Sequence, residues 1–211
     1  MSLRIGIAGI TGRMGRLLAA AVPASGAVLA GGISRTDAET KLPGDAPRCA
    51  DLAALAGACD VVIDFTHAAA VAGHAAALAE RMGAALPAEQ YDVEILEMHH
   101  RQKVDAPSGT AIGIGRAVAA GRGVALEDVM ESGRHGHTGP RKTGAIGFAA
   151  LRGGQVVGEH SLIFAAGAEQ IVLTHRAFDR ASFADGAVRA AHWLAGRQPG
   201  LYGMADVLGM R

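Results

Sequence analysis

The chain predicts an α/β protein in two parts: a parallel-sheet N-terminal domain, then an α+β domain built on an open, mixed sheet. Three observations carry this. Apolar strand-like runs alternate with helical stretches over residues 3–82. Glycines recur as Gly-x-x-Gly-x-x-Gly at Gly9, Gly12 and Gly15, where the first strand meets the first helix. After Gly83 the character changes to a dense polar cluster followed by a series of strands.

Residues 3–8 form a short apolar run ending at Gly9 and predict a buried strand. Residues 13–22 predict a helix stopped near Pro23, and 27–33 a second strand. Residues 35–48 are polar and turn-rich and predict a surface loop. A short helix over 51–56, a strand over 60–65 and an Ala-rich helix over 68–82 complete a truncated Rossmann-like order. In the second half, 93–98 predict a strand and 108–120 a helix with Ser108 or Thr110 at its start. Residues 131–143 predict a loop rich in Gly, His and Arg. Strands follow near 145–151, 155–164 and 170–175, the first two joined by a tight turn at Gly153-Gly154 and the last two through Ala166-Gly167-Ala168. Residues 181–194 predict a closing helix in which Phe183 and Trp193 read as core. The expected domains are residues 1–88 and 89–198, with 199–211 packing back on the first.

Bulk properties bound the function. Of 211 residues, 20 are Lys or Arg and 20 Asp or Glu, so no broad nucleic-acid surface is expected. Thirty glycines with 4% aromatics point to tight turns and close helix packing rather than disorder. Cys49 and Cys59 are too few for a disulfide framework and read as buried free thiols. No segment has the pattern of a signal peptide or the length of a membrane span, so the expectation is a cytoplasmic protein without a membrane partner.

The glycine run has the physics of a phosphate cradle. A strand must turn sharply into a helix, and the bare first-turn amides then face an anion. Gly9, Thr11, Gly12, Arg13, Met14 and Gly15 are therefore candidate cofactor contacts, against a plain tight turn. No acid follows the second strand before Asp37, whereas Ser34 and Arg35 do. Arg35, with Arg13, suits a 2′-phosphate and leans toward NADPH; the alternative is a solvated loop arginine. Phe65 and Thr66 end the third strand, where a parallel sheet presents its ligand crevice, while Asp64 could equally be a local cap.

The most chemical stretch is Glu97-Met98-His99-His100-Arg101-Gln102-Lys103-Val104-Asp105-Ala106-Pro107-Ser108-Gly109-Thr110. A histidine or lysine here suits a general acid, and Lys103 can stabilise developing negative charge. The start of the following helix suits a carboxylate, although Ser108 could be a capping residue alone. His99, His100 and Glu97 lack a convincing metal-ligand spacing, so no metal is expected. Residues 133–144 form a basic loop that either covers the site or is solvated. His160 and His175 read as core or interface histidines, with Glu159 as partner to one of them.

Residues 9–15, 97–111, 138–148 and Val157-Gly158-Glu159-His160 closely resemble the bacterial 4-hydroxy-tetrahydrodipicolinate reductases of diaminopimelate and lysine biosynthesis. The resemblance implies an N-terminal domain delivering hydride from NADPH or NADH, and a C-terminal domain that binds a cyclic dicarboxylate and builds a homotetramer. It implies His99 as proton donor, Lys103 as its cationic partner, His100 beside the substrate, and Gly109 and Thr110 on a carboxylate. The implied sequence is loss of water, hydride addition to the conjugated ring, and protonation. The chain departs from the family by lacking a strand ending in Gly-Thr-Thr-Gly and a later Ala-Pro-Asn-Met-Ser-like segment. This reads as an internal deletion between Met82 and Tyr91. The alternative function is a non-catalytic nucleotide-binding or assembly remnant.

Overall fold

A computed structural model describes residues 2–34, 41–65 and 73–210. In chain order its elements are β1 (Arg4–Ala8), α1 (Arg13–Ala24), β2 (Val28–Ile33), α2 (Leu52–Ala58), β3 (Val61–Asp64), α3 (Gly73–Ala85) and β4 (Asp92–His99). They continue with α4 (Gly109–Gly121), α5 (Leu126–Val129), β5 (Met130–Ser132), β6 (Ile146–Arg152), β7 (Gly158–Ala165), β8 (Gln170–Ala177), α6 (Ala181–Leu194) and α7 (Met204–Val207). The chain forms two compact units, Met1–Ala68 with Asp179–Gly203, and Ala69–Phe178 with Met204–Arg211.

The first unit is a parallel three-stranded sheet in the order β2-β1-β3. β1 is central, so Ile5 and Ile7 are fully buried, as the unbroken apolar run requires. In α1 the buried residues are Gly15, Leu18, Ala19 and Val22, one face at helical spacing. That helix runs past its expected end: Pro23 lies in the last turn, which Ser25 N–H closes on the Ala21 carbonyl at 3.1 Å. The expected surface loop over 35–48 needs correcting in its second half. A short 3₁₀ turn at Pro43–Asp45 tucks Leu42 and Ala46 into the core; residues 35–40 lie outside the described residues.

The second unit is a five-stranded mixed sheet, β5-β6-β4-β7-β8. β4 is parallel to β6 and antiparallel to β7, and β7 pairs antiparallel with β8. α3 and α4 pack together, and their Ala79, Ile114 and Val118 join Val93, Ile95, Leu162 and Phe164 in one core. The alternation of β4 sends Val93, Ile95, Glu97 and His99 to this covered face. Leu96, Leu151 and Val172 are exposed and belong to the opposite face by register.

Several expectations are corrected. Gly153-Gly154 is not a hairpin between neighbours, because β4 lies between β6 and β7; the connection crosses the end of β4, with Gly153 N–H on the His99 carbonyl at 3.0 Å. The Gly, His and Arg loop begins with β5, whose three residues Met130-Glu131-Ser132 carry no apolar pattern to announce a strand. The expected boundaries at 88 and 198 differ from the observed units. α3 packs on α4 and joins the second unit, whereas α6 supplies Ala184, Val188 and Ala191 to the first. The tail divides: residues 199–203 lie in the first unit, while α7 packs on α3 and Arg81 donates to the Met210 carbonyl at 2.5 Å. Trp193 is half-buried rather than core, edge-on to Tyr202 with the Arg197 guanidinium 4.1 Å from its centroid.

Candidate active site

The covered end of β4 holds a polar network that an apolar core would exclude unless every charge were matched. Glu97 is 1% exposed. Arg152, at the end of β6, donates two bonds of 2.8 Å to its two carboxylate oxygens. The backbone N–H of Ser108 adds a bond of 3.1 Å, and His99 Nδ1 lies 2.6 Å from Oε2. Burial opposes ionisation, but the bonds from Arg152 and His99 outweigh it and hold the Glu97 carboxyl below its ordinary range. The positions follow from local rules: period two puts Glu97 and His99 on one face, and the parallel register sets Arg152 beside His99.

His160 arrives from β7, its ring centroid 5.0 Å from that of His99 and edge-on to it. Its Nε2 is 3.0 Å from Ser108 Oγ, which also accepts from the Ala111 N–H at 3.2 Å and so caps α4. Burial, then the nearby His99, push the His160 imidazole down to about 4. It is therefore neutral near pH 7. Lys103 follows β4 in a turn, its N–H on the His100 carbonyl at 3.1 Å. Its ammonium meets both oxygens of Asp105, at 2.7 and 2.9 Å, and holds that carboxyl below the usual range. Gly109 and Thr110 open α4, whose first-turn amides lack intrahelical acceptors, that of Ala111 being capped by Ser108.

The first unit holds the other candidate contacts. Gly9 has φ of 79°, and its N–H bonds the Ile33 carbonyl at 3.0 Å, turning the chain back over β2. Gly12 is the extended N-cap of α1 and no side chain caps that helix, so its leading amides carry no internal acceptor from a cap. A Cβ on Gly15 would overlap the Gly9 carbonyl and the backbone of Ile10. Thr11 Oγ1 is 2.8 Å from Ser34 Oγ, Arg13 is exposed, and Met14 and Phe65 pack on the core. This cradle fits a pyrophosphate. Arg35 and Thr66 lie outside the described residues.

The family models "Dihydrodipicolinate reductase, N-terminus" and "Dihydrodipicolinate reductase, C-terminus" match residues 3–86 and 72–208. The chain belongs to the dihydrodipicolinate reductase family. It is 53% identical over 257 residues to the 4-hydroxy-tetrahydrodipicolinate reductase of Granulibacter bethesdensis, covering 100% of this chain and 98% of that protein. For the enzyme of the same name from Acidiphilium cryptum the identity is 55% over 255 residues, covering 99% and 98%. The fold is similar to that of a dipicolinate-bound dihydrodipicolinate reductase from Paenisporosarcina sp. TG-14, with a TM-score of 0.72, 21% identity and coverage of 98% and 99%.

These matches bear on the departure from the family. An alignment over 257 residues against a chain of 211 means that the relatives carry sequence absent here. The N- and C-terminal matches overlap over residues 72–86, which hold α3. The C-terminal dihydrodipicolinate reductase match starts at residue 72 and takes in α3. The link from α3 to β4 is closed by Leu86 N–H on the Met82 carbonyl at 2.9 Å, Tyr91 N–H on the Pro87 carbonyl at 3.0 Å and Arg122 on the Tyr91 carbonyl at 2.7 Å.

Sequence reading missed Arg152 and the contacts that tie Glu97 and His160 to His99. His160 is the buried, hydrogen-bonded histidine that was expected and touches His99 and Ser108, while Glu159 pairs with Arg176 and His175 is exposed rather than core. The findable signal was the alternation of β4, which already put Glu97 on the face of His99. The basic loop is anchored by Arg134 and Arg141, which bond Glu94 Oε1 at 2.9 and 3.0 Å, on the face of β4 opposite His99. Among the described residues no cluster of three or more His, Cys, Asp or Glu could hold a metal, and no helix is long and apolar enough to cross a membrane.

Proposed function

We propose that this chain reduces 4-hydroxy-tetrahydrodipicolinate to tetrahydrodipicolinate with NADPH or NADH, in diaminopimelate and lysine biosynthesis. The observation that carries the reading is the second-unit network itself. In it Glu97 pairs with the His99 imidazole and accepts from the Ser108 amide at the start of α4, while Arg152 links Glu97 to the turn in which Lys103 pairs with Asp105. Lys103, Gly109, Thr110 and His100 take the two carboxylates of the substrate. His99 gives a proton to the ring after reduction, and Lys103 steadies the negative charge that precedes it. The nicotinamide cofactor supplies the hydride. Gly9, Thr11, Gly12, Arg13, Met14 and Gly15 hold its pyrophosphate, and Phe65 and Thr66 are the further cofactor contacts of this reading. Arg13 and Arg35 favour a 2′-phosphate, hence NADPH over NADH.

The chain works as a cytoplasmic homotetramer in this reading. Support comes from the uncovered sheet face carrying Leu96, Leu151 and Val172, which are 36%, 48% and 50% exposed. The test is steady-state NADPH oxidation with freshly generated substrate, beside calorimetric binding of pyridine-2,6-dicarboxylate. Turnover supports the reading. Retained dicarboxylate binding without turnover turns it into the remnant reading, in which the shortened first unit no longer aims the hydride.

A further inference from the structure

We propose that Glu97 is the positioning residue of this site, fixing which ring nitrogen of His99 transfers the proton. This rests on His99 being the proton donor of the proposed reaction. The deduction is one of donors and acceptors. Glu97 accepts two N–H bonds from Arg152 and one from the Ser108 amide, so its carboxylate is ionised and has no proton to give. Its 2.6 Å contact with His99 is therefore an Nδ1–H donating to Oε2. Nε2 is left as the nitrogen that takes up and releases the proton.

The surroundings agree with that assignment. On β7 the residue beside Nε2 is Gly158, where a Cβ would stand 3.1 Å from that nitrogen. Glycine thus keeps a side chain from crowding Nε2, and the His99 side chain retains 11% exposure. The other groups facing this ring are Arg152 from β6 and His160 from β7, and the turn after β4 carries Lys103 paired with Asp105. His160 is neutral near pH 7, Arg152 is committed to Glu97, and Lys103 to Asp105. None of them competes for Nδ1. A carboxylate that selects a tautomer in this way can control a large share of a rate, since an amide in its place permits the wrong one.

The experiment is ¹⁵N NMR of the histidine rings in the full-length protein, with the His99 signals assigned by their loss in His99→Gln. The neutral ring should be the Nδ1–H tautomer in the wild type. In Glu97→Gln it becomes a mixture, and kcat falls about 10–100-fold while KM changes little. Glu97→Asp, which keeps the charge but draws it back, restores part of the tautomer preference. An Nε2–H tautomer in the wild type overturns the proposal even if no variant folds. So does a folded Glu97→Gln that keeps the wild-type tautomer and kcat. Absence of NADPH oxidation in the wild type counts against the reductase reading alone, because the ring tautomer is read without turnover.

Discussion

Arg152 and Glu97 meet fork to fork across the parallel strands β6 and β4, through two bonds of 2.8 Å. Arg152 also donates to the Asp105 carbonyl at 2.7 Å, so a single guanidinium ties the buried carboxylate to the turn that carries Lys103. Arg152 makes an energetic cost of burial into an ordering device: the charge that neutralises Glu97 also holds the turn of Lys103 and Asp105.

Arg152→Ala should destabilise the fold by about 3 kcal/mol, the lower end for breaking a buried pair. The arginine keeps 21% exposure, and water can enter to relieve the carboxylate. Urea denaturation checks this. The double variant Arg152→Met, Glu97→Leu should recover most of that stability and none of the turnover. If the double variant is no more stable than the single one, the cost lies in packing and not in the orphaned charge.

Stability should decline as pH falls from about 6.5 to about 4, because His160 is 6% exposed and its folded-state pKa is pushed down to about 4. In that window the unfolded chain takes up a proton that the folded chain refuses, so stability is present above the unfolded value and lost on acidification. The shift corresponds to roughly 3 kcal/mol. Glu97, also held low, adds a further loss at still lower pH. Denaturation midpoints across pH 4 to 7.5, compared with His160→Asn, measure the effect; equal slopes in the two proteins would remove His160 as its source.

Lys103→Ala should weaken pyridine-2,6-dicarboxylate about 10–100-fold, the loss expected for one charge-assisted bond. The lysine is poised by its two bonds to Asp105, and a carboxylate ligand competes with that partner. Asp105→Asn should then bind the dicarboxylate more tightly than the wild type. Calorimetry on both variants decides, and an unchanged affinity in Lys103→Ala takes the residue out of the site.

Gly15→Ala should lower NADPH affinity at least about tenfold by pushing the Gly9 turn off its position, since the new methyl overlaps backbone rather than a flexible side chain. Dicarboxylate binding, built wholly from residues of the second unit, should be unaffected. Fluorescence titration of NADPH beside calorimetry of the dicarboxylate separates the two. Equal nucleotide affinity in Gly15→Ala would mean that phosphate does not rest on this turn.

The sequence by itself determined the alternation of strands and helices, the glycine turn, the family, and the helix that begins after Ser108. Each of these rests on near neighbours in the chain, and the relevant physics reaches only a few residues: period two in β4, helical spacing in α1, and a capping hydroxyl at Ser108. Tertiary structure alone decided that β4 lies between β6 and β7, which makes Gly153-Gly154 a crossover and brings Arg152 and His160 to His99. It also decided that α3 belongs with α4 and α6 with α1. An amphipathic helix states that it must bury a face but not against what, and a buried carboxylate states that it needs a cation but not which one. Those choices are settled by pairing across 55 positions of chain, as between Glu97 and Arg152, where no local pattern connects the partners.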